Sequence, residues 1–272
     1  MNDALLDIEY RYRRDGFAGP CDLLTEEEAR ETRRHIEQIE ATIGGQMQKR
    51  FHMKAHLPFP FLHDLITHPK LLDVIEGIVG PNILCWGSTF FQKEAHDPFF
   101  VSWHQDTTYY GVEPPDTVTA WIAITEASEA AGCMRFMPGS HNKGIYSHAE
   151  LRAKDNLLGR GQTVSGIDES RAVHVPLKAG QFSLHREDTL HASHPNKTDD
   201  RRIGLSVHYV APYVRETGFP DAGALLVRGK DTYGYWREEP RPVRDFDPVC
   251  MTELDRALAC FTDTPVKHKP TD

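Results

Sequence analysis

ILCWGSTFFQK, residues Ile83–Lys93, marks the point where the chain changes texture. It opens a series of short β-type runs divided by Gly, Pro and Asn: Phe99–Gln105, Thr117–Thr125, Cys133–Met137, Ala172–Leu177, Gln181–Leu184 and Ile203–Val210. Runs of this length without long helices between them suggest a sandwich or jelly-roll barrel rather than a parallel sheet. One excursion, Ser140–Ser170, is polar and Gly-containing. Excursions of that length inside a compact domain are often functional loops or lids.

Outward from this β-rich region the pattern becomes helical. Thr25 followed three residues later by Glu28 is a capping-box start, a charged run extends to Ile43, and Gly44-Gly45 ends it. The charges of Thr25–Glu40 read as a solvated helix face. A second helix is expected over Pro69–Val79, where Leu71, Leu72, Val74, Ile75, Ile78 and Val79 recur at helical spacing before Gly80-Pro81. After Pro212 the chain is rich in Pro, Arg and aromatic residues, and it closes on a short helical pattern, Val249–Phe261. Length alone allows one domain or two. The expected arrangement is a single domain over 1–272, mainly β with flanking helices: a helical part to about residue 80, a core over about 81–212, and an extension over about 213–272.

Composition narrows the function. The chain is 39% hydrophobic and 26% charged, with a formal charge of −9. That balance argues against nucleic acid as the main partner, because phosphate binding needs a net basic face. The five cysteines, Cys21, Cys85, Cys133, Cys250 and Cys260, are scattered and form no CxxC. They read as reduced, partly buried thiols. No apolar stretch approaches the roughly 20 residues of a membrane span, and Met1-Asn2-Asp3-Ala4 lacks a signal-peptide pattern. The expected location is the cytoplasm.

Phosphate-loop, GxGxxG, HExxH and GxSxG motifs are absent. Fifteen histidines remain. Trp103-His104-Gln105-Asp106 follows the apolar run Phe99-Phe100-Val101, and in a strand residues two apart point the same way. His104 and Asp106 would then supply two ligands of a two-His-one-carboxylate triad, which leaves iron positions open for cosubstrate and oxygen. His191, in Thr189-Leu190-His191-Ala192-Ser193, is the best third ligand. The HxE pairs fare differently: His35/Glu37 falls in a charged helix, His148/Glu150 in the excursion, and His185/Glu187 competes on sequence grounds.

Three blocks carry a resemblance: WHQD at Trp103–Asp106, AWIAITEASEAAGCMRFMPGSH at Ala120–His141, and GQFSLHREDTLHASHPNKTDDRRIGLSVHYV at Gly180–Val210. In that order and spacing the chain resembles the phytanoyl-CoA dioxygenase-like group of Fe(II)/2-oxoglutarate oxygenases, over roughly Asn82 to Pro212. The resemblance implies a double-stranded β-helix (jelly-roll, cupin-like) core, with Fe(II) held by His104, Asp106 and His191 and with 2-oxoglutarate and O2 as cosubstrates. It matches Arg202 to the arginine that pairs with the far carboxylate of 2-oxoglutarate. A guanidinium fork suits a carboxylate, and strand alternation sends only one of Arg201 and Arg202 inward. It matches Ser193 to a supporting hydroxyl and Trp121 to an aromatic wall of the cosubstrate pocket. Gln92 and Lys49 follow from a looser match upstream.

The second and third blocks also look like the non-haem iron halogenases of this superfamily, in which Gly or Ala replaces the carboxylate ligand. Asp106 retains it, so the resemblance implies hydroxylation of an unactivated C–H bond, with 2-oxoglutarate leaving as succinate and CO2. The partner is then a small molecule, amino-acid-like or carrier-tethered by analogy, its pocket shaped by Ser140–Ser170 and by Tyr233–Trp236. The rival reading is a non-redox, metal-binding cupin-like module.

Overall fold

The computed structural model describes residues 3–108, 111–150, 153–158, 161–219 and 221–263. Parts of two expected segments, 151–152 and 159–160 in the excursion and 220 and 264–272 in the extension, lie outside the described residues. The helices are α1 (Asp3–Asp15), α2 (Glu26–Ile43), α3 (Met47–Arg50), α4 (Pro60–Ile66), α5 (Pro69–Val79) and α6 (Pro248–Asp263). The strands begin with β1 (Phe17–Asp22), β2 (Ile83–Lys93), β3 (Val101–His104), β4 (Val112–Glu113) and β5 (Thr117–Ala123). They continue with β6 (Met134–Phe136), β7 (Ala149–Glu150), β8 (Gln162–Thr163), β9 (Val173–Val175) and β10 (Gln181–Arg186). The last are β11 (His191–Ser193), β12 (Arg202–Val210), β13 (Arg215–Glu216), β14 (Gly223–Arg228) and β15 (Arg237–Glu238).

A seven-stranded sheet runs β1-β10-β5-β12-β2-β14-β15 and a four-stranded sheet runs β3-β11-β6-β9. These are the sheets of the jelly-roll core, as the spacing of the short runs implies. β2 and α5 occupy the residues expected of them. β1 and β14 lie outside the expected core of 81–212, yet both belong to the larger sheet. β1 is broken by Gly19 and Pro20, and its register against β10 shifts between Ala18 and Cys21. A strand that carries Gly-Pro survives at a sheet edge through such an irregularity.

Contacts divide the chain into two compact units. One comprises Met1–Arg50, Phe90–Gln105 and Thr119–Ser206. Its core gathers Phe17, Trp121, Ala123, Met134, Phe136 and Val175 from strands of both sheets, and Cys133 just before β6, with the Phe17 and Phe136 rings stacked at 4.6 Å. A second apolar cluster joins Trp103, Met137, Val164, Leu190 and Ala192, and Tyr146, Ile167 and Ala172 pack against it. Part of the Ser140–Ser170 excursion is thereby anchored by apolar burial. α2 starts with the reciprocal capping box: Thr25 Oγ1 accepts from the Glu28 N–H and Glu28 Oε2 accepts from the Thr25 N–H. Gly44, at φ 69°, ends it in the left-handed conformation that glycine adopts without strain.

The other unit comprises Phe51–Thr89, Asp106–Val118 and Val207–Asp272. Leu84, Trp86, Val210, Val214, Ala224 and Trp236 form its apolar cluster. Trp236, expected at the substrate pocket, is a core residue here, its Nε1–H donating to the Val214 carbonyl at 2.6 Å. Tyr233 and Tyr235 are exposed. Within this unit Lys54 Nζ donates to Glu239 Oε1 at 2.5 Å and to the Trp86 and Gly223 carbonyls, all buried. None of the described helices is long and apolar enough to cross a membrane.

Candidate metal and cosubstrate site

His104 is the last residue of β3 and His191 the first of β11, and antiparallel pairing sets them directly opposite. Their ring centroids lie 4.0 Å apart. Each ring is oriented in the same way: Nδ1–H of His104 donates to the Ser102 carbonyl at 2.8 Å, and Nδ1–H of His191 to the Thr189 carbonyl at 2.9 Å. A proton fixed on Nδ1 leaves the lone pair on Nε2, the tautomer suited to metal binding.

Asp106 joins them by a different route from strand alternation. β3 ends at His104, and Asp106 opens a 3-10 turn, Asp106–Thr108. The turn still returns the carboxylate to the imidazoles, and one ligand atom from each of His104, Asp106 and His191 lies within 4.8 Å of the others. These three are the one such group of His, Cys, Asp and Glu among the described residues. His185 is also close, its ring centroid 4.5 Å from that of His191, but it belongs to no ligand cluster with Glu187.

Alternation does separate the two arginines. Arg201 turns to α2 and pairs with Glu40 at 2.6 Å, whereas Arg202 is buried. Arg202 Nη1 donates to the Gly132 carbonyl at 2.9 Å, and the guanidinium lies over the Trp121 ring with its Cζ 4.9 Å from the centroid. Its Nε, also buried, has no hydrogen-bond partner among the described residues. Burial pushes the Arg202 pKa down to about 10. A buried cation with no paired carboxylate among the described residues and one donor unspent is able to receive an anion. Ser193, expected beside it, is buried and accepts a hydrogen bond from Lys93 Nζ at 2.7 Å.

Gln92 is engaged elsewhere. Its Nε2 donates to Glu40 at 2.8 Å, its Oε1 accepts from the Gln48 N–H at 3.0 Å, and it ties β2 to α2 and α3. On a pleated strand the neighbouring residue faces the other way, so Lys93 is the β2 side chain turned to Ser193. Lys49 is exposed on α3.

Residues 12–204, well over half of the chain, match the family model described as phytanoyl-CoA dioxygenase (PhyH). The chain belongs to the phytanoyl-CoA dioxygenase family. A curated relative of this family member, the probable alpha-ketoglutarate-dependent hypophosphite dioxygenase of Stutzerimonas stutzeri, is 29% identical over 184 residues, 65% of this chain and 64% of that protein. Phytanoyl-CoA dioxygenase domain-containing protein 1 of Mus musculus is 30% identical over 158 residues, 56% of this chain and 54% of the relative. The matched part of the chain thus spans between about half and just under two thirds of these two relatives. Among solved structures, the apo form of ThoJ, a non-heme monooxygenase, has a TM-score of 0.83 at 33% identity and covers 94% of this chain and 96% of that one.

Three further residues of this phytanoyl-CoA dioxygenase family member lie beside the candidate site residues. Gln105, between two triad residues, is buried; its Nε2 donates to the Asp188 and Gly144 carbonyls and its Oε1 accepts from the Tyr146 N–H. It locks the end of β3 to two loops. Gly204 has no room for a side chain, because a Cβ there would sit 1.9 Å from Trp121 Cζ2. A glycine inside an apolar strand is the signal for such a close approach. Lys93, the last residue of β2, has no such signal, since a terminal strand lysine reads as solvated.

Proposed function

We propose that His104, Asp106 and His191 hold Fe(II), that Arg202 and Ser193 receive the far carboxylate of 2-oxoglutarate against Trp121, and that the protein hydroxylates a C–H bond of a small molecule. The family, and with it Fe(II), 2-oxoglutarate and O2 as cofactor and cosubstrates, stands on the match over residues 12–204 and on the three-residue ligand cluster. The observation that carries the residue roles is the coincidence of two features in one sheet sandwich. Both imidazoles of a two-His-one-carboxylate cluster are held as Nε2 ligands, and the His191 ring lies 6.1 Å from Phe136; Phe136 shares a core cluster with Trp121, over which the buried Arg202 guanidinium lies with no paired carboxylate among the described residues.

When bound, Fe(II) and 2-oxoglutarate activate O2, with succinate and CO2 as the by-products. The chain's own residues supply charge, orientation and dryness. Asp106 would contribute one negative charge toward a bound dication and take the place that a halide ligand would need, which favours hydroxylation. Arg202, its plane set by Trp121 and the Gly132 carbonyl, is preorganised for a planar carboxylate, so little side-chain entropy is lost on binding. Buried Trp121, Phe136 and Ala123 keep water from that end of the site.

The test is succinate formation over a panel of small amines, amino acids and acyl thioesters, with the product analysed by mass. One oxygen atom gained by a substrate, dependent on Fe(II) and lost in Asp106→Ala, is the expected result. A chlorinated product, or metal binding without 2-oxoglutarate turnover on any member of the panel, would contradict the reading.

A further inference from the structure

Lys93 is fully buried at the end of β2, the strand adjacent to β12, which Arg202 opens. Its Nζ donates to Ser193 Oγ at 2.7 Å and to the His194 carbonyl at 2.5 Å. No carboxylate among the described residues pairs with Lys93 or with Arg202; Asp97 acts on Lys93 only through its field. Two basic side chains are thus buried within each other's electrostatic reach, and Lys93 also holds the Ser193 hydroxyl. Taking one cation out of water is costly, and a second beside it raises the cost further. Such an arrangement is stable as a charged site only when an anion enters it.

We propose that Lys93 is a second cation of the cosubstrate pocket, a positioning residue that selects a 2-oxo acid with a distal carboxylate over one without. The inference rests on the reading of Arg202 and Ser193 given above and adds a residue to it. Ser193 accepts from Lys93, so its hydroxyl proton is free to point to an incoming carboxylate. Lys93 therefore orients the serine donor as well as adding charge. The burial that pushes the Lys93 pKa down to about 5 keeps the empty pocket from carrying two full charges, and a bound carboxylate restores the ammonium form.

The experiment is a calorimetric titration of Ni(II)-loaded, non-turning-over protein with 2-oxoglutarate and with 2-oxopentanoate, which has the same chain without the distal carboxylate. In Lys93→Met the affinity for 2-oxoglutarate should fall about ten- to a hundredfold, the scale of a buried charge-assisted hydrogen bond. Affinity for 2-oxopentanoate should stay within about twofold of wild type, and Lys93→Arg should recover part of the preference. Equal losses for both acids would show that Lys93 is only a strut between β2 and β11, and no loss for either would remove it from the pocket. Lys93→Gln, which keeps a polar donor without charge, is the second variant if methionine prevents folding. Failure of the wild-type protein to bind 2-oxoglutarate at all would instead overturn the reading of Arg202 and Ser193.

Discussion

Replacing Lys93 by methionine should change how the metal-free protein's stability responds to pH. In the unfolded chain the amine titrates near its ordinary 10.5; in the folded protein burial, reinforced by the Arg202 and Arg135 charges and opposed by Asp97 and Cys133, holds it at about 5. A depressed folded pKa means that folding releases a proton throughout the window between those values. The contribution to stability is therefore most favourable above 10.5 and is lost progressively as pH falls toward 5. The slope for one such group is about 1.4 kcal/mol per pH unit. Methionine has no proton to lose, so the variant gains on the wild type as pH falls, by roughly 2–3 kcal/mol between about pH 8 and about pH 6. The lost hydrogen bonds to Ser193 and the His194 carbonyl add an offset that does not depend on pH. Urea unfolding of both proteins, stripped of metal, at several pH values measures the difference. Parallel stability profiles would refute the argument, because they would mean that Lys93 keeps its proton in the folded protein.

Gly204→Ala would push a methyl to 1.9 Å from Trp121 where ordinary contact begins at 3.4 Å, so the indole must move. A loss of about 2–3 kcal/mol by urea unfolding is expected, with weaker 2-oxoglutarate binding because Arg202 lies over the same ring; unchanged stability would show that the ring is not fixed. Lys54→Met leaves Glu239 buried without its main partner, for a loss of about 3–5 kcal/mol. Burial alone would raise the Glu239 carboxyl, but Lys54 and His56 outweigh it and hold it below the usual range. Its stabilising contribution is thus present above about pH 4.5 and lost as pH falls, so the acid unfolding midpoint of the variant should rise. An unmoved midpoint would contradict the pairing.

The elements that could be read from the sequence are those whose local chemistry is self-sufficient. The Thr25 capping box, the Pro69–Val79 periodicity and the apolar run Ile83–Lys93 each specify themselves, and each appears where expected. β1 and β14 were hidden because their own residues argue against them: Gly19 and Pro20 read as a turn, and β14 lies in a tail rich in proline and arginine. Those strands exist because a neighbour, β10 or β2, offers hydrogen bonds and a buried face. At the site, HxD spacing pointed to the two residues that the structure brings together with His191, but not by strand alternation, since Asp106 arrives by a 3-10 turn that the sequence does not announce. Alternation separated Arg201 from Arg202 correctly. Applied to β2, the same rule sets Gln92 and Lys93 on opposite faces, but the sequence cannot say which face is inside. Only the tertiary packing shows that Gln92 serves α2 and α3 and that Lys93 is turned to Ser193.

The most direct test of the metal site is anaerobic addition of Fe(II) and then 2-oxoglutarate to the purified protein, followed by visible absorption. A weak charge-transfer band should grow with 2-oxoglutarate in the wild type and in His185→Ala. It should be absent in His104→Ala and in His191→Ala. A band that survives either of those two substitutions, or one that vanishes with His185, would contradict the assignment of His104, Asp106 and His191 as the iron ligands.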